Sequence, residues 1–185
     1  MGGVQMTSYV ALLRGINVGG RNKVPMADLR AAFDAGGYSS VRTYIQSGNV
    51  CFDTDRPAAG IEADVEALLA RELGMDLVVV VRSQRQLRAV VRDAPDGFGT
   101  QPDTFHSDVV FLKAPLTPTA AMTVVQLRDG VDRAWPGRGA LYFERLSARR
   151  TQSRMNRIMG TPEYRLMTIR NWSTTTKLLA MLDEG

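Results

Sequence analysis

Three polar segments hold the side chains with which this chain could do chemistry. The first is Leu13-Arg14-Gly15-Ile16-Asn17-Val18-Gly19-Gly20-Arg21-Asn22-Lys23, which follows an apolar stretch and ends at Pro25. Glycines such as Gly19 and Gly20 let the backbone approach an anion closely, while Arg14, Asn17 and Lys23 supply charge and donors. The second is the turn Gln46-Ser47-Gly48-Asn49. Its amides and hydroxyl can read a polar ligand or simply bond the backbone of a tight turn. The third is Arg170-Asn171-Trp172-Ser173-Thr174-Thr175-Thr176-Lys177, where a strand feeds a helix. Asn171 or Ser173 can cap that helix, and Trp172 can staple onto Leu178 or Leu179. Arg170 and Lys177 put positive charge near a helix N-terminus, which suits a bound anion. Three consecutive threonines are poor helix interior, a local conflict that points to function.

Several chemistries are excluded or weakened. Gly15 to Gly20 fits neither G-x-x-x-x-G-K-[ST] nor G-x-G-x-x-G, so an ATPase or a dinucleotide enzyme is not expected. His106 is the only histidine and Cys51 the only cysteine, which leaves no multi-histidine metal site, thiolate cluster or intrachain disulfide. No G-x-S-x-G motif is present, so a serine nucleophile such as Ser47 lacks an evident base. Cys51 reads as a small packed strand residue and His106 as a loop or strand-edge residue; no metal and no cofactor is expected.

The bulk composition describes an ordinary globular chain. Its 185 residues are 44% hydrophobic, enough for one compact domain or two small ones. No run approaches the roughly 20 apolar residues that span a bilayer. Met1-Gly2-Gly3-Val4-Gln5 lacks the regions of a secretory signal, so a cytoplasmic location and no membrane partner are expected. The net charge is +4, but Arg145 to Arg170 holds seven arginines against Glu163 alone, a local excess that can attract phosphate or form a solvated face.

These segments need elements to position them. Apolar spacing predicts a strand at Tyr9 to Arg14, a helix from Pro25 stopped by Gly36-Gly37, and strands at Val41 to Ile45 and Val50 to Asp53. A helix over Ala58 to Leu73 and a strand over Leu77 to Arg82 follow. Ser83 and Gln86 then open a short helix as a capping pair. The order returns with a strand at Asp108 to Leu112, a helix from Thr117-Pro118 to Arg128, and a hairpin of Val131 to Trp135 with Ala140 to Leu146. A helix from Ser153 to Met159, a strand at Arg165 to Ile169 and a last helix to Leu182 complete it. Twice β-α-β-β-α-β is an α+β chain of two tandem ferredoxin-like plaits with mainly antiparallel sheets: 7–82, a linking segment 83–106, and 107–183. In such a plait the first and third strands are neighbours, so the first loop and the Gln46 turn share one end of the sheet.

Leu13 to Gly20, Tyr44-Ile45-Gln46-Ser47-Gly48-Asn49-Val50 and Thr168-Ile169-Arg170-Asn171-Trp172 resemble the three signature segments of a bacterial family known as domain of unknown function 1697. The resemblance extends over about Thr7 to Leu182. It implies a two-part fold of ferredoxin-like plaits and no established activity.

Three readings stay open. In the first, Arg14, Asn17, Gly19, Gly20, Lys23, Gln46, Ser47 and Asn49 join Arg170, Asn171, Trp172 and Lys177 to bind a phosphate-bearing or nucleotide-like small molecule or nucleic acid. Arginine grips phosphate and Trp172 stacks on a base. In the second, Ser47, assisted by Lys23, is the nucleophile of a phosphoryl- or acyl-transfer enzyme. In the third, the motifs hold the two halves together and bind nothing. A monomer is compatible with all three.

Overall fold

A computed structural model describes residues 5–185. The chain divides into two units, one formed by residues up to Leu87 with Leu178–Gly185, the other by Arg88–Lys177. Both are α+β units built on a four-stranded antiparallel sheet. No helix among the described residues is long and apolar enough to cross a membrane.

The first unit runs β1 (Thr7–Leu13), α1 (Met26–Ala35), β2 (Ser39–Tyr44), β3 (Asn49–Thr54), α2 (Ile61–Leu73) and β4 (Val79–Ser83). Its sheet has the order β2-β3-β1-β4. Leu29 and Phe33 of α1 and Ile61, Val65, Leu68 and Leu69 of α2 recur at helical spacing, so each helix turns an apolar stripe onto the sheet. There they meet Tyr9, Ala11, Leu13, Val50 and Phe52 in one core. The edge strand β4 is covered from α2: Glu66 accepts the Val79 N–H at 2.9 Å and Glu62 the Val81 N–H at 2.8 Å.

Then come α3 (Gln84–Arg92), β5 (Phe105–Leu112), α4 (Pro118–Met122), β6 (Asp132–Pro136), β7 (Ala140–Leu146), β8 (Met167–Asn171) and α5 (Trp172–Glu184). The expected capping pair opens α3: the Ser83 N–H donates to Gln86 Oε1 and the Gln86 N–H to Ser83 Oγ. The division between units falls inside α3 and inside α5. The second sheet has the order β6-β7-β5-β8.

The helical layer of the second unit departs from expectation. The helix from Thr117 ends at Met122 instead of Arg128, although Thr117 caps it by accepting the Ala120 N–H. Beyond it Thr123-Val124-Val125 is β-branched and Gly130 breaks the chain, which leaves too little helix-forming sequence to propagate. The helix expected from Ser153 to Met159 is replaced by three 3-10 segments, Ser147–Gln152, Met155–Gly160 and Pro162–Leu166. Met155 and Ile158 still reach the core with Val110, Leu112, Leu141, Phe143 and Met167. Exposed Arg149, Arg150 and Arg157 lie on these turns, with Arg157 donating to Gln126 Oε1 at 2.8 Å.

Candidate functional site

The sequence-selected residues fall into one set in each unit. In the first unit, β1 and β3 are adjacent, so the loop after Leu13 and the turn before Asn49 lie at one end of the sheet. The Leu13 N–H donates to Gly48 O at 2.9 Å. Gly48 has φ +84, and a Cβ there would lie 2.7 Å from Ile16 Cδ1, so no other residue lets this turn close on the loop. Asn17, in left-handed conformation with φ 53, is the loop's strut. Its side chain mimics a strand partner: Oδ1 accepts the Val24 N–H at 2.9 Å, and Nδ2 donates to Val24 O at 3.1 Å and to Gln46 O at 2.7 Å. Both amide hydrogens are thereby spent. Asn22 adds a bond from its side chain to Gly15 O at 3.1 Å.

What this scaffold leaves open is a cavity of about 370 Å³ lined by Asn17, Gly20, Lys23, Val24, Pro25, Met26 and Gln46. It sits at the start of α1, whose N-cap, Pro25, offers no side-chain hydrogen bond. Lys23 and Arg21 are exposed beside it, and Asp28 is the acid in the first turn of α1. Gly19 is exposed on the same loop, and Arg14 at its root is half-buried, its backbone N–H donating to Val78 O. Asn49 is fully buried and donates to Tyr44 O and to Ser47 Oγ. Asn17 and Asn49 therefore position the loop, while Gly20, Lys23 and Gln46 are placed to meet a ligand.

In the second unit, Asn171 rather than Ser173 caps α5, its Oδ1 accepting the Thr174 N–H at 2.7 Å. The threonine conflict is settled by back-bonding: Thr175 Oγ1 donates to Asn171 O, and Thr176 Oγ1 to Trp172 O and Ser173 O. Trp172 is held from a direction the staple reading misses. It meets Phe98 edge-on, with centroids 5.1 Å apart, and lies over Gly99, where a Cβ would overlap the indole. Arg170 is buried in β8 and donates to Ile169 O at 2.9 Å; burial pushes its guanidinium down to about 10, so it remains charged at neutral pH. Lys177 is exposed on α5.

Sequence reasoning set His106 aside, yet it lines a cavity of about 350 Å³ with Gly99, Pro102, Phe105, Ser107, Asn171, Trp172 and Ser173. Its Nε2 lies 3.1 Å from Asp108 Oδ1. The signal was the alternation His106-Ser107-Asp108 in a strand, which puts imidazole and carboxylate on one face. Burial raises the Asp108 carboxyl above the usual range, with His106 and Arg145 pulling it back. On the opposite face Ser107 Oγ donates to the buried Glu144 carboxylate at 3.0 Å, which also takes Arg133. Cys51 is wholly buried, and burial pushes its thiol up to about 11, so it stays protonated and unreactive at neutral pH.

Comparison with known proteins supplies a family and a fold. A conserved bacterial protein, SP0830 from Streptococcus pneumoniae, superposes with a TM-score of 0.82 at 29% identity, over 96% of this chain and 99% of that one. An unknown protein from Galdieria sulphuraria aligns over 97% of this chain and 93% of that chain at 14% identity, with a TM-score of 0.27 that carries no argument. No curated protein matches. The model of the family described as protein of unknown function (DUF1697) matches residues 6–142, so the chain belongs to that family.

Proposed function

We propose that this protein binds a phosphate-bearing small molecule at the loop between β1 and α1. The observation that carries the reading is the open cavity of about 370 Å³ at the start of α1, lined by Gly20, Lys23 and Gln46 beside a helix end that no side chain caps. Uncapped N–H groups and a lysine give an anion both donors and charge. The strut Asn17 ties the loop to Val24 and to Gln46 O of the turn, which fixes the walls of the space. We further read both units as ferredoxin-like plaits; the shared strand order and antiparallel pairing support it.

A second reading, in which the polar segments only brace their own unit, is favoured by Asn17 and Asn49, whose amide hydrogens are spent on the protein itself. Titration of inorganic phosphate and adenosine monophosphate, followed by backbone amide shifts, separates the two. The binding reading expects saturable shifts centred on Gly19 to Met26, with Lys23→Gln weakening affinity at least about tenfold, as for a lost hydrogen bond to a charged group. Lys23 is exposed, so the variant folds. A single-stranded oligonucleotide, with binding that falls steeply with salt, tests the nucleic-acid form. If phosphate and the nucleotide leave the loop unmoved, the bracing reading stands.

A further inference from the structure

The cavity of the second unit has a different chemistry. Its lining brings the aromatic residues Phe105 and Trp172 together with the polar residues His106, Asn171 and Ser173, while the Ser107 hydroxyl is spent on Glu144. At about 350 Å³ it lies at the small end of the roughly 300–1,000 Å³ typical of small-molecule sites, so it suits one ring system rather than an extended molecule. Trp172 is fixed there by Phe98 and Gly99, so its indole is a preformed wall.

The polar groups are directional. Asp108 engages His106 Nε2, which orients the ring and leaves Nδ1 as its remaining hydrogen-bonding atom. Asn171 spends Oδ1 on the Thr174 N–H, and among the described residues no hydrogen bond engages its amide N–H pair. The cavity thus offers an acceptor from His106 and donors from Asn171 beside aromatic rings. A flat ring with a neighbouring donor and acceptor on its edge answers both features; a plain hydrocarbon ring answers only the first, and a phosphate only the second.

At the register position of Asp108 the first unit has no acid that could orient an imidazole. Tyr9, opposite Phe52, occupies the register position that Asp108 holds opposite Phe143. Tyr9 stacks on Phe52 at 5.7 Å and is buried in the core. In the second unit the aromatic is replaced by an acid that orients an exposed imidazole.

We propose that this cavity binds a single flat nitrogen heterocycle of the nucleobase class, stacked on the aromatic lining and hydrogen-bonded along its edge by His106 and Asn171. It does not depend on the phosphate reading, since adenosine carries the ring without a phosphate and inorganic phosphate the reverse. The test is titration of the full chain with adenosine and with purine riboside, which lacks the exocyclic amine, observed at the indole N–H resonances of Trp172 and Trp135. The expected result is a saturable shift at Trp172 and a weakening of adenosine binding of about three- to tenfold in His106→Ala, one neutral hydrogen bond. Purine riboside should bind the unaltered chain that much more weakly and ignore the substitution. His106 is exposed, so its loss leaves folding intact. No saturable shift at Trp172, or adenosine binding equal in both proteins, would overturn the proposal.

Discussion

The two units share a sheet and differ in what covers it. Val10 faces Arg82 across β1 and β4, and Val109 faces Arg170 across β5 and β8. Each arginine is mostly buried, has its guanidinium lowered by burial, and bonds the carbonyl of the residue before it. Yet the first unit lays the 10-residue α1 and 13-residue α2 on its core, whereas the second uses the five-residue α4 and three 3-10 segments. The sheet register tolerates either cover. What the cover changes is stiffness: a long helix is held by its own hydrogen bonds, while short turns and methionine side chains can shift to fill a gap.

That difference predicts unequal costs for equivalent truncations. Leu69→Ala removes a fully buried side chain from α2, where the helix cannot collapse into the space, and should cost about 4 kcal/mol in denaturant unfolding. Met155→Ala, from a 3-10 segment, should cost about 2 kcal/mol because its short turn can move inward. Equal losses would show that the irregular layer is as rigid as the helices.

A second contrast concerns two asparagines that look alike as ligand amides. Asn17 carries three hydrogen bonds to the backbone and sits at φ 53, so Asn17→Ala leaves several polar groups short and strains the backbone. The expected loss is about 2–3 kcal/mol. Asn171→Ala removes a single capping bond, for about 1 kcal/mol. Thermal or denaturant unfolding of the two variants ranks them; the reverse order would mean that the β1–α1 loop is not braced as its geometry indicates.

The legibility of the chain follows the same division. Helices α1 and α2 announce themselves because their apolar spacing persists over several turns and ends at Gly36 and Gly74. The adjacency of the Gln46 turn and the first loop is also readable, since it follows from the strand order alone. The layer over the second sheet is not readable in this way. Its apolar residues match a helical period over only a few positions, too short for nucleation to succeed without tertiary help. Asn17 could be singled out by type but not by role, because its partners Val24 and Gln46 are supplied by chain reversal. His106 was readable from its alternation with Asp108, but the aromatic wall beside it comes from Trp172, 66 positions away.

The smallest expected effect sharpens the contrast between Tyr9 and Asp108. Burial raises the Asp108 carboxyl above its ordinary value of 3.8, a net result that already includes the opposing pull of His106 and Arg145. The folded state therefore holds the proton more tightly than the unfolded chain does. This contribution to stability is fully present below the ordinary carboxylate range and is lost as pH rises through the folded value. Asp108→Asn deletes the titration while keeping a side-chain oxygen for His106. Relative to the unaltered chain, the variant should therefore gain stability as pH is raised from acid towards neutrality. Paired unfolding curves across that range measure the difference directly. A relative loss with rising pH would mean that the ion pair with His106 outweighs burial, making the acid a net stabiliser where the first unit uses an aromatic ring.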